Sequence, residues 1–194
     1  MKLVFATNNR HKVSEVQAIL KNIDIEILTL SDIGCDVDIP EDADTFEENA
    51  LQKARYIYTH YGMNCFGDDT GLQVWALDGE PGVHTARYAG DHDNEANMQK
   101  LLKNLEGKED RSCRFKTAMA LIIDGNEYMF EGIVNGRIAM QKSGVQGFGY
   151  DPVFIPEGYD NTFSELGMDI KNSISHRGRA IRNMVDFLEK EYAG

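Results

Sequence analysis

The sequence predicts an α/β fold with one curved, mixed sheet and flanking helices, and three observations predict it. Early in the chain, apolar runs alternate with helical patterns: residues 3–6 precede a helix opening at Asn9, and residues 26–30 precede one opening at Thr45. Later, Cys113, Phe115, Thr117, Met119 and Leu121 alternate with Arg114, Lys116, Ala118 and Ala120, and Asp124-Gly125-Asn126 turns that run into residues 127–134. No repeat or biased linker interrupts the 194 residues, so residues 1–194 are expected to form a single domain.

Leu3, Val4, Phe5 and Ala6 read as a buried strand, and Thr7-Asn8-Asn9-Arg10-His11-Lys12 as the polar loop after it. Val13, Val16, Ile19 and Leu20 then fall at helical spacing. A strand, a polar loop and a helix start aim backbone N–H groups at an anion. Thr7 and Asn9 can donate to phosphate oxygens, and Asn9 can also cap the helix. Lys12 opposes the helix dipole unless an anion sits in front of it. A plain helix start explains these residues equally well. No Gly-x-x-x-x-Gly-Lys phosphate loop occurs.

The acidic stretch ending Asp38-Ile39-Pro40-Glu41-Asp42-Ala43-Asp44 reads mostly as solvated loop, with Asp44 and Thr45 as N-cap and Glu47 or Glu48 completing a capping box. Phe46, Ala50, Ala54, Ile57 and Tyr61 form the apolar stripe of the next helix. Lys53 projects from that stripe, so it either snorkels out or reaches a polar cleft; its neighbour Asn49 favours the cleft.

Gly67-Asp68-Asp69-Thr70-Gly71 follows the apolar stretch Asn64-Cys65-Phe66. Its glycines suit a tight turn and close approach to a ligand. Two adjacent carboxylates stay ionised together only with a cation or donors between them, which is the chemistry of a divalent metal and an activated water. A solvated Asp-Asp turn is the bland alternative. Residues 72–77 read as a strand.

Asp93 or Asn94 caps a third helix with Met98, Leu101, Leu102 and Leu105 inside. Residues 136–139 and 153–155 read as short strands, and residues 162–166 as a short helix or turn. Phe148-Gly149-Tyr150-Asp151-Pro152 suits a ring-stacking platform with a hydrogen-bonding edge, or a glycine-rich turn around a core Phe. Ser175 caps a last helix carrying Ile181, Met184, Val185, Phe187 and Leu188. Lys171, His176, Arg177 and Arg179 concentrate around its start, which wastes charge unless an anion or a keto oxygen binds there.

Thirty-two acidic against twenty basic residues give a net charge of −12, which argues against binding long nucleic acid or anionic membrane. The three cysteines, Cys35, Cys65 and Cys113, contain no Cys-x-x-Cys. Reduced thiols in a cytoplasmic protein are expected. The first residues are too short for a signal peptide, and no apolar run reaches membrane-spanning length.

Thr7-x-Asn9-x-x-Lys12, Pro40-Glu41, Asp68-Asp69-Thr70-Gly71-Leu72, Phe148-Gly149-Tyr150-Asp151-Pro152 and Lys171-Asn172-x-Ile174-Ser175-His176-Arg177 occur in an order and spacing that resemble the inosine/xanthosine triphosphate pyrophosphatase family. The resemblance spans nearly the whole chain. Thr70 stands where many relatives have Ser. The resemblance implies an elongated α/β fold with two lobes around a central cleft, a homodimer and Mg²⁺. It implies hydrolysis of aberrant purine nucleoside triphosphates (ITP, dITP, XTP) to the monophosphate and pyrophosphate. By position, Thr7, Asn9 and Lys12 would hold the substrate's phosphates, with Lys53 nearby, and Asn8, Arg10, His11 and Thr70 would also bind the substrate. Glu41 and Asp69 would bind the metal, and Asp69 or Asp68 would be the base. Phe148, Gly149, Tyr150, Asp151, Lys171, His176 and Arg177 would hold the base and sugar, with Arg177 among the donors to a 6-keto group. The related septum-inhibitor-like nucleotide pyrophosphatases are the alternative, and look less similar in the last helix. A nucleotide-binding module would not need Glu41 and the Asp68-Asp69 pair together, and a nuclease is disfavoured by the net charge.

Overall fold

A computed structural model describes residues 1–90 and 92–192. Six strands form one mixed sheet in the order β2-β1-β3-β4-β5-β6: β1 (Lys2–Phe5), β2 (Glu26–Leu28), β3 (Cys65–Val74), β4 (Ser112–Ile123), β5 (Asn126–Ile138) and β6 (Phe154–Pro156). β1 runs parallel to both β2 and β3, while β5 and β6 are antiparallel, with Gly136 opposite Pro156 and Ile138 opposite Phe154. The helices are α1 (Arg10–Ile19), α2 (Phe46–Tyr61), α3 (Asn94–Asn104), α4 (Phe163–Leu166), α5 (Met168–Ile174) and α6 (His176–Glu191). The expected α/β class with a mixed sheet and flanking helices is what the structure has. No helix among the described residues is long and apolar enough to cross a membrane.

Several boundaries differ from the sequence reading. Asp68 and Asp69 lie inside β3 rather than in a turn, and residues 75–77 close the strand as a 3-10 turn. Residues 136–139 are not a separate strand: β5 runs unbroken to Ile138. Residues 168–174 form α5, a helix too short to show periodicity. The caps follow local chemistry. Asn9 accepts from the N–H groups of His11 and Lys12, Thr45 from Glu48, Asp93 from Ala96, and Thr162 forms a capping box with Glu165.

The chain divides into two compact units. The first comprises residues 1–69, 117–132 and 177–194; the second comprises residues 70–116 and 133–176. In the first, Leu3, Phe5, Val16, Phe66, Met119, Leu121, Met184 and Leu188 form one buried cluster. Phe5 and Phe66 stack with ring centroids 4.5 Å apart. In the second, Leu72, Val74, Leu101, Phe115, Phe154 and Phe163 do the same around α3 and β6.

The alternation of β3 sorts the first unit. Its odd residues face α2: the Cys65 thiol donates to the Ala54 carbonyl at 3.2 Å, and Gly67 lies so close to the helix that a Cβ would run into the Ala50 carbonyl. Its even residues face α1 and α6, where Phe66 packs with Val16 and Met184. Gly67 is thus the close-approach residue of a helix–strand contact, not of a turn. That contact brings the α2 backbone next to the two carboxylates.

Candidate active site

Asp68, an even residue of β3, is fully buried. Lys12 of α1 donates to its Oδ1 at 3.0 Å and Arg177 of α6 donates to its Oδ2 at 3.3 Å. Arg177 also pairs with Glu15 of α1, and both side chains are 2% exposed. Burial by itself would raise the Asp68 pKa, but Lys12, then Arg177 and Lys53, overcome it and hold this carboxyl far below the usual carboxylate range. Arg177 is pushed up, because Glu15 and Asp68 outweigh its burial. Lys12 is held below its ordinary value: burial is the largest cause, and with Lys53 and Arg177 it outweighs the opposing pull of Asp68 and Asp69.

Asp69 points to the other side of the strand. It takes a hydrogen bond at Oδ2 from the neutral Asn49 amide of α2 at 2.9 Å. Burial pushes its pKa up to about 6; Lys53, Lys12 and Asn49 pull it down only in part, and Glu41 adds to the rise. Lys53 does not snorkel out. It is 5% exposed, and its ammonium lies 2.6 Å from the Glu41 carboxylate. Burial would depress it, yet Asp68, Glu41 and Asp69 together raise it. Two chain neighbours therefore differ in acidity because they face different helices.

Residues 7–12, expected to bind the substrate, are arranged differently from a bare anion nest. Thr7 accepts from the Asn9 N–H at 3.1 Å, and Asn9 Oδ1 already occupies the N–H groups of His11 and Lys12 at 3.0 and 3.3 Å. Asn8, Arg10 and His11 are exposed, while Thr7 is buried. Thr70 follows Asp69 on β3, half-buried.

Phe148 to Asp151, Lys171 and His176 come together in the second unit. Asp151 accepts from the Lys171 ammonium at 2.7 Å and from the Phe148 N–H at 3.0 Å. The ammonium also lies 4.6 Å from the centre of the Phe148 ring, within cation–π range. Gly147 has φ +82°, and a Cβ there would collide with the Asp151 carboxylate. Gly149 is half-buried. Tyr150 donates to the Thr85 carbonyl at 2.7 Å, and burial pushes its phenol up. His176 stacks on Phe115, centroids 4.6 Å apart at 15°. Arg177, expected among these groups as a donor to the base, has its guanidinium on Glu15 and Asp68 in the first unit.

Sequence reasoning does not single out Glu15, and it names Asn49 only as the neighbour that favours a cleft for Lys53. The signal was available for Glu15: a carboxylate beside Val16 on the inward side of α1, three residues from Lys12, is as anomalous as Lys53 on the stripe of α2. Among the described residues, no group of three or more His, Cys, Asp or Glu is arranged to hold a metal ion.

The profile of the Ham1 family matches residues 3–187. A protein of Flavobacterium johnsoniae named dITP/XTP pyrophosphatase is 53% identical, over 97% of this chain and 98% of that one. One of Christiangramia forsetii with the same name is 51% identical, over 98% of this chain and 100% of that one. The solved structure of the Staphylococcus aureus Ham1 protein superposes with a TM-score of 0.89 at 38% identity, covering 98% of this chain and 100% of that one. A HAM1 protein from Coxiella burnetii gives 0.90 at 35%, covering 98% and 99%. A profile match over nearly the whole sequence, with relatives more than half identical end to end, means that this chain belongs to the Ham1 family.

Proposed function

We propose that the chain is a Mg²⁺-dependent pyrophosphatase that hydrolyses aberrant purine nucleoside triphosphates (ITP, dITP and XTP) to the monophosphate and pyrophosphate. The relatives' name, dITP/XTP pyrophosphatase, supports the substrate class. The observation that carries the chemistry is the split between Asp68 and Asp69. One carboxylate is bonded to the Lys12 and Arg177 cations, while its neighbour meets the neutral Asn49 amide and is pushed above the usual carboxylate range by burial, which suits a proton acceptor.

In this reading Asp69 takes the proton of a water that attacks the α-phosphorus, and pyrophosphate leaves in line. Lys12 and Lys53 bind oxygens of the phosphate chain and stabilise the charge that develops on them. Asp68 holds Lys12 and Arg177 in place. Glu41 and Asp69 would hold Mg²⁺, which supplies a hard positive charge against the triphosphate. The fit rests on the Lys53 ammonium: its pKa is raised by Asp68, Glu41 and Asp69 together, so these oxygens create the potential a cation seeks. Two protein carboxylates with the substrate's phosphates suit Mg²⁺, which seldom uses an all-protein cage.

In the second unit, Lys171 and His176 can donate to a 6-keto oxygen, whereas adenine offers an amino donor there. Phe148 is the aromatic surface for the base. The same reading has the enzyme working as a homodimer in the cytoplasm, where three free, buried cysteines suit a reducing compartment. The test is pyrophosphate release from dITP and XTP against dATP, with Mg²⁺ and with excess chelator. The expected result is a preference of at least about 100-fold for the keto purines, lost activity in chelator, and no orthophosphate. Equal rates for dATP would overturn the substrate class.

A further inference from the structure

Asn49 sits where the two segments that carry Glu41 and Asp69 meet. Its side chain is on α2 and 3% exposed. Oδ1 accepts the Ala43 N–H at 2.9 Å, and Nδ2 donates to Asp69 Oδ2 at 2.9 Å. A backbone N–H only donates, so Ala43 decides which end of the amide it faces, and the other end must offer its N–H to Asp69. Ala43 follows Glu41 by two residues. One buried amide therefore ties the Glu41 loop to the Asp69 carboxylate. The loop has a second anchor on α2, because Gln52 donates to Asp42 at 2.8 Å.

We propose that Asn49 is a positioning residue for hydrolysis. It holds Oδ2 of Asp69 in one orientation, which leaves Oδ1 to take the proton of the attacking water, and it keeps the Glu41 loop in register with that carboxylate. An apolar residue of the same size would do neither, and a residue that only stapled the loop would not need a donor facing Asp69. The proposal rests on the reading of Asp69 as the base.

Asn49→Asp separates the two arms. It is isosteric and keeps an acceptor for the Ala43 N–H, but presents oxygen instead of N–H to Asp69. Asn49→Ala removes both arms. Melting curves, steady-state kinetics with dITP and Mg²⁺, and Mn²⁺ binding followed by electron paramagnetic resonance without nucleotide are compared with the wild type. Asn49→Asp is expected to fold and to lose at least about tenfold in kcat, with KM within about threefold, because Lys12 and Lys53 are untouched. Asn49→Ala is expected to lose kcat to a similar degree and to bind Mn²⁺ about tenfold more weakly. Wild-type kcat in Asn49→Asp would overturn the proposal and reduce Asn49 to a loop staple. If Asn49→Ala does not fold, Asn49→Asp decides alone. A wild type that releases no pyrophosphate from dITP would sink the proposed function and this proposal with it; an active wild type with an undisturbed Asn49→Asp sinks this proposal only.

Discussion

Asp68 and Asp69 are consecutive on β3, yet one carboxylate is bonded to the Lys12 ammonium at 3.0 Å and the other to the Asn49 amide at 2.9 Å. Strand alternation sends the first toward α1 and α6 and the second toward α2. Their pKa values are driven in opposite directions, Asp68 far down and Asp69 up to about 6. Two titratable groups pushed apart in this way support the proposed division of labour, in which Asp68 is a fixed counter-charge and Asp69 the base.

Asp69 is predicted to carry a pH signature in stability, measured without metal, and in activity. Its folded pKa of about 6 lies above the ordinary 3.8, so its protonated form stabilises the fold. That contribution is complete below about 3.8 and is lost as the pH rises through about 6. Asp69→Asn should therefore melt higher than wild type at pH 8, by an equivalent of up to ~3 kcal/mol, with the gap shrinking at pH 5. It should also lose several orders of magnitude of turnover. The wild-type kcat/KM should fall about tenfold per pH unit on the acid side. Melting curves and rate profiles check both; near-native turnover in Asp69→Asn would contradict the role.

Arg177 is predicted to matter first for the fold. Arg177→Ala leaves Glu15, 2% exposed, without its guanidinium partner. Removing one member of a buried ion pair costs about 3–5 kcal/mol. The denaturant midpoint measures this, and a loss below ~1 kcal/mol would remove Arg177 from the buried network.

Gly67→Ala places a Cβ against the Ala50 carbonyl and 3.1 Å from the Ala54 nitrogen, backbone atoms that cannot swing aside. Separating α2 from β3 should cost about 1–3 kcal/mol. It should lower kcat as well, because Lys53 and Asn49 ride on that helix. An unchanged melting temperature would show that the contact is looser than described.

Lys12→Ala and Lys53→Ala should weaken binding of the triphosphate more than that of the monophosphate, each by about 1.5–3 kcal/mol. Calorimetry with dIMP and a non-hydrolysable dITP analogue compares them. Equal losses for both ligands would place these lysines away from the phosphate chain.

Much of this was legible in the sequence because its signals are local. The caps at Asn9, Thr45 and Asp93 and the Asp124-Gly125 turn each follow from a few adjacent residues. Lys53 was conspicuous because a cation on an apolar stripe needs a destination. What the sequence hides is long-range pairing: Arg177 meets Glu15 across 162 positions and Asp68 across 109. Local chemistry therefore pointed to an anion or a keto oxygen as the partner of the cations at that helix start. Gly67 misled for a related reason. A glycine beside acids reads as a turn, and only the helix packed on it shows that close approach is its purpose.

The measurement that tests the central claim most directly is hydrolysis of dITP in ¹⁸O-labelled water with Mg²⁺, followed by mass spectrometry of both products. Attack at the α-phosphorus predicts the label in the monophosphate and unlabelled pyrophosphate. Label in the pyrophosphate, or stepwise release of labelled orthophosphate, would contradict it.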